Sequence, residues 1–115
     1  MTVQIKKTYR NLNPVMLCDE VRDLLQKQGI TVVETESQTY GLPSGDTQSR
    51  TTLALRTQGQ QEKDQKECGT VHILGSPLGE TKMLVDVDET LFPKEELSAF
   101  QNDLDFILGS YEMKW

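Results

Sequence analysis

FPKEELSAFQNDLDFILGSYEMKW, residues 92 to 115, decides the fold. Its apolar side chains Leu97, Phe100, Leu104, Ile107, Leu108 and Tyr111 recur at i, i+3, i+7, i+10, i+11 and i+14, the spacing of one helical face. That face needs a surface to bury against. Pro93 suits the first helical turn, where its missing N–H costs nothing, and Glu95 and Glu96 sit where the helix dipole favours negative charge. Continued to the end of the stretch, the helix would run about 30 Å, enough to cross a small sheet. The residues before it supply that sheet.

Thr2 to Arg10 alternates, with Val3, Ile5, Lys7 and Tyr9 on one face, as a half-buried strand does. Asn13 and Pro14 form an N-cap and N1 pair, Gly29 a C-terminal stop, and Leu17, Cys18, Val21, Leu24 and Leu25 an apolar stripe, so 14 to 28 is a helix. Ile30 to Tyr40 is β-branched but polar after Val33, the composition of an edge strand. Its inward set is expected to be Val33, Thr35, Ser37 and Thr39. Ser49 to Thr57 follows with Thr51, Leu53 and Leu55 inward. Residues 58 to 67, QGQQEKDQKE, hold no apolar side chain and read as a mobile polar connection. Cys68 to Gly75 and Thr81 to Asp88 then make a hairpin, with Val71 and Ile73 facing Met83, Val85 and Val87.

The order β-α-β-β-β-β-α over residues 1–115 specifies a single α+β domain: a five-stranded antiparallel sheet with both helices on one face. Short connections make a meander of the second to fifth strands, with the first strand beside the fifth and the polar second strand on an edge. This order resembles the TATA-binding-protein-like (TBP-like) and helix-grip architectures, in which a long C-terminal helix lies across a curved antiparallel sheet. The resemblance is one of element order, so it implies a fold and no activity.

A chain of 115 residues buries enough surface to fold without metal or disulfide. Twelve Lys and Arg against 18 Asp and Glu give a net charge of -6, which argues against phosphate-backbone binding as the main task. The surplus is local: residues 80 to 115 hold nine acids and only Lys82, Lys94 and Lys114. Asp86, Asp88, Glu95, Glu96 and Asp103 therefore form a candidate acidic interaction surface, beside the plainer reading of a solvated face. Cys18 and Cys68 match no disulfide or zinc spacing and read as buried or half-buried thiols of a reducing compartment. The first residues alternate and carry no signal-peptide core, and no run of 18 apolar residues predicts a membrane helix, so the cytoplasm is the expected location.

MLVDVDETLF, residues 83 to 92, carries Asp-x-Asp-x-Thr-Leu after an apolar strand and is similar to the first motif of the haloacid-dehalogenase phosphatases. That resemblance implies Asp86 as nucleophile, Asp88 as general acid and base, and a bridging Mg²⁺. The family's motif follows the first strand of a parallel sheet, and later strands bring the remaining acids and a lysine. Here only 25 residues follow Thr90, in one amphipathic helix, and Asp103 and Asp105 point to different faces of it. The motif is read as a strand end, and no catalytic residue, metal or cofactor is assigned. His72 is the only histidine. Sharing a strand face with Cys68 at about 13 Å, it cannot join that thiol on one metal.

Two functions remain. The preferred one is a non-enzymatic interaction or accessory protein, contacting a protein partner or a second copy through the acidic last strand and helix or the open polar sheet face. The other is a helix-grip protein holding a small apolar ligand, with Tyr9, Thr35, Ser37, Tyr40 and Thr51 lining a cavity under the long helix. Neither nucleic acid nor membrane is expected as a partner.

Overall fold

The structure, a computed structural model, describes residues 2–43, 45, 47–57, 66–76 and 79–113. The expected 58–67 connection lies almost wholly outside them. Five strands, β1 (Thr2–Arg10), β2 (Ile30–Gly41), β3 (Thr47–Thr57), β4 (Glu67–Gly75) and β5 (Glu80–Asp88), form one antiparallel sheet in the order β1-β5-β4-β3-β2. Helices α1 (Pro14–Lys27) and α2 (Lys94–Leu108) share a single core with one face of it. The α+β class, the meander and both edge strands are those the sequence specifies.

Local chemistry sets the boundaries. The Asn13 side chain accepts a hydrogen bond from the Val15 N–H at 2.9 Å, Pro14 opens α1, and Gly29 follows it at φ 81°. A turn on Asp88 leads from β5 to α2, its carbonyl accepting from the N–H groups of Leu91 and Phe92. Leu17, Val21, Leu25, Leu53, Leu55, Ile73, Val85, Phe92, Phe100 and Leu104 are fully enclosed between helices and sheet. Thr81, the one buried polar residue among those described, donates to the Leu12 carbonyl at 2.8 Å and ties the β1–α1 connection to β5.

The last helix is shorter than its periodicity implies. It stops at Leu108, about 22 Å from its start, and Gly109–Tyr111 tightens into a 3₁₀ turn. Glycine weakens the helix there, and strand pairing captures the next two residues: Glu112 bridges to Tyr9 and the Met113 N–H reaches the Thr8 carbonyl at 2.8 Å. Leu97, Phe100, Leu104 and Leu108 are buried, whereas Ile107 and Tyr111, expected on the same stripe, are exposed.

Two bulges correct the expected strand faces. Glu34 pairs with Leu53 but Glu36 with Thr52, which leaves Thr35 as an extra residue. Before it Ile30, Val32 and Glu34 face the helices, and after it Ser37 and Thr39 do. Val32, not Val33, packs on the core, and Glu34 reaches Arg22 of α1 at 3.6 Å. Likewise Leu55 pairs with Gly69 but Arg56 with Glu67. The skipped residue, Cys68, turns into the core, so it does not share a face with His72.

At Gly69 the sheet tolerates no Cβ, which would run into the Asp86 carbonyl oxygen and Val87 of β5, whereas one at Gly41 meets nothing within 4 Å. Gly69→Ala is therefore expected to lower stability by about 1–3 kcal/mol, read as a lower urea midpoint, while Gly41→Ala leaves the midpoint unchanged or slightly higher.

Candidate functional site

Directly paired residues of an antiparallel sheet point the same way, so the register fixes what its helix-free face displays. Lys6, Leu84, His72, Thr52 and Glu36 form one row across all five strands, from β1 to β2. Thr8, Lys82, Leu74, Arg50 and Gln38 form the next, and on the other side lie Gln4, Asp86, Thr70, Ala54 and Val33. No described helix covers these rows. Leu74 is 37% exposed and Val33 39%, with Leu84 half-buried between Lys6 and His72. His72 Nδ1 lies 3.3 Å from Thr52 Oγ1, which holds the ring across the strands.

Between β1, β5 and β4 the face sinks into a depression of about 360 Å³, lined by Lys6, Thr8, His72, Leu74, Lys82 and Leu84. Its floor is leucine and its rim is lysine, with Arg50 beside Leu74 on the next strand. Neither Lys6 nor Lys82 has a carboxylate within 4 Å among the described residues. In a chain of net charge -6 this is a local reversal of sign. Along β5 the face changes from Asp88 and Asp86 through Leu84 to Lys82 and ends at Glu80, opposite Arg10 of β1, so a ligand over its first four positions meets anionic, apolar and cationic ground in turn.

The expected site residues do not converge. Tyr9 is enclosed in the core on β1, while Tyr40 is exposed on the helix-free side of β2, the opposite edge, about 19 Å across the sheet. Thr35 sits at the bulge and donates to the Thr52 carbonyl at 3.2 Å. Only Ser37 and Thr51 are paired, on the helix side. Phe92, Phe100 and Leu104 fill the middle of the space beneath α2, and the cleft of about 450 Å³ beside its first turns is lined by Val3, Glu89, Lys94, Leu97, Ser98 and Gln101, none of them an expected site residue. The Tyr9 hydroxyl is buried without a hydrogen-bond partner among the described residues, and burial, reinforced by Glu112 and Asp105, pushes its pKa well up.

The acidic residues are also divided. Asp86 and Asp88 lie on the helix-free face, whereas Glu95 and Glu96 open α2 on the other side of the sheet. Asp103 pairs with Lys27 of α1 at 3.2 Å. Lys7 binds Asp105 at 2.8 Å and Glu112 at 2.6 Å. Burial lowers the Lys7 pKa, but the bonds from both carboxylates outweigh it and leave the amine above its usual range. Four of the surplus acids are thus spread over two surfaces, and three others brace α2 and the segment after it.

Asp88 Oδ1 accepts from the Thr90 hydroxyl at 2.7 Å and the Thr90 N–H at 2.9 Å, an Asx turn closing β5. Those two bonds hold the carboxyl below its usual range. Among the described residues no three His, Cys, Asp or Glu side chains gather to hold a metal. Burial pushes the Cys68 thiol up to about 11 and raises that of Cys18 as well, the opposite of an activated nucleophile.

No family model, curated protein or solved structure matches this chain. The face therefore rests on its own geometry. Outward Lys82 and Leu84 are readable from strand alternation, but the register that sets His72 beside Leu84 and Leu74 beside Lys82 is not.

Tyr9→Phe is expected to leave thermal stability unchanged or raise it, because the hydroxyl is desolvated without return; a loss above about 1 kcal/mol would expose a partner for it. Thr90→Val should raise the Asp88 pKa toward the ordinary value near about 3.9, measured by NMR titration of the carboxyl carbon. Because the native value is depressed, the turn's contribution to stability is present above the unfolded-state pKa and is lost as pH falls through the native one. An unchanged titration in the variant would remove the hydroxyl from this account.

Proposed function

We propose that the chain is a non-enzymatic interaction protein whose working surface is the helix-free face of its sheet. The observation that carries this reading is the uncovered apolar ground on that face: Leu74, Leu84 and Val33 stand among charged side chains where strand alternation alone would leave polar residues. Apolar floor with a cationic rim is the chemistry of a surface that takes a partial apolar anchor flanked by carboxylates. Two buried free thiols and no described helix long and apolar enough to cross a membrane accord with a reducing compartment, and we take the cytoplasm as its place.

A photoreactive amino acid at position 74 tests the assignment. In cells it is expected to give adducts of discrete mass, whereas the same group at Val15, which is 62% exposed on α1, is not expected to give them. Equal labelling from both positions, or none from position 74, would count against the sheet face as the working surface.

A further inference from the structure

Phe106 is 91% exposed, the most exposed large apolar side chain among the described residues. It lies in the last turn of α2, two residues from both Leu104 and Leu108 and so opposite the stripe that buries them, with Ile107 (43% exposed) beside it. A helix can hide only one stripe, so this aromatic is surplus to the core. The end that carries it is also electronegative: the helix carbonyls point that way, the last turn has no basic residue, and the two carboxylates beside it, Asp105 and Glu112, share the single ammonium of Lys7.

The opposite surface has the complementary character. Lys6 and Lys82 rim the 360 Å³ depression, and Leu74 and Leu84 floor it. A phenylalanine ring is small enough for that space and would exchange water for two leucines. Its own chain cannot supply it, since α2 lies on the far side of the sheet.

The geometry points to head-to-tail self-association, in which Phe106 of one copy enters the Lys6–Lys82 depression of a second. This rests on the reading of the helix-free face as the working surface and names a second copy as its occupant. Knob and depression occupy different surfaces, so the contact is heterologous: a docked pair still presents one free knob and one free depression, and growth continues until a ring closes or the copies are exhausted. One helix end on a shallow depression falls below the roughly 1,200 Å² of a stable interface. Association is therefore weak, concentration-dependent and reduced by salt.

Sedimentation velocity of the full chain from about 5 µM to about 500 µM, where weak contacts populate, is expected to show a mean mass rising beyond that of a dimer. Phe106→Asp and Lys82→Glu each change an exposed side chain and should leave the circular dichroism spectrum intact. Each variant should lower the association constant about tenfold or more. Their equimolar mixture is decisive: the intact knob of one fits the intact depression of the other, and the expected product is a 1:1 dimer that grows no further. A wild-type chain monomeric throughout, a Phe106→Asp chain that still associates, or a mixture that stays monomeric overturns the proposal. If the wild type stays monomeric while position 74 still gives its discrete adducts, only the second copy as occupant falls. Loss of those adducts as well removes the working surface itself.

Discussion

Two helices cover one side of a five-stranded sheet and leave the other to solvent, and most of this molecule follows from that constraint. The buried side takes the alternating apolar residues of β1, β3, β4 and β5 and the stripes of α1 and α2. With α2 only about 22 Å long in a molecule 46 Å along its longest axis, the outer end of β2 lies past its reach. That strand is polar and exposed from Glu34 to Gly41, as an unsheltered edge requires. The uncovered face, by contrast, retains leucines that no core demands.

Charge is apportioned between holding the fold and facing water. Lys7, Arg22 and Lys27 are drawn to carboxylates around the helices, where their contacts are partly shielded. The more exposed of them, Arg22–Glu34 and Lys27–Asp103, contribute little each, about 1 kcal/mol or less, and Lys27–Asp103 with the part-buried Lys7 pair orients α2 against both β1 and α1. On the helix-free face Lys6 and Lys82 form no ion pair among the described residues, although Glu80 shares the face with Lys82. A protein with an acidic total thus presents a small cationic field, and the total is a poor guide to what approaches it.

Alternation, capping residues and helical periodicity made the class, the strand order and nearly every boundary legible in the sequence. The errors in strand facing lie at two residues. Neither Thr35 nor Cys68 announces a bulge, because a bulge depends on how two strands fit and not on either alone. Thr35 reverses the faces expected for the first part of β2, and with them the hydroxyl-lined cavity. Cys68 crosses from the polar side into the core. The shorter α2 has a readable cue in Gly109, but the pairing of Glu112 with Tyr9 that takes over from the helix joins residues 103 positions apart and is invisible to local pattern. The candidate face is cross-strand in the same way: its residues come from separate strands, and only their register makes them neighbours.

That long-range closure governs the order in which the molecule can be assembled. β1 precedes the other strands, yet among the described residues its strand neighbour is β5, residues 80 to 88, and on its other edge only Tyr9 and Thr8 are met, by Glu112 and Met113. During synthesis the β2–β3–β4 meander can pair as it emerges, while β1 and the α1 stripe behind it remain without their full complement. Completion of the fold is therefore tied to β5 and the segment after it. A nascent or truncated form ending before β5 would display β1 as a strand open on both edges, the state in which such a sheet is most prone to pair with the wrong partner.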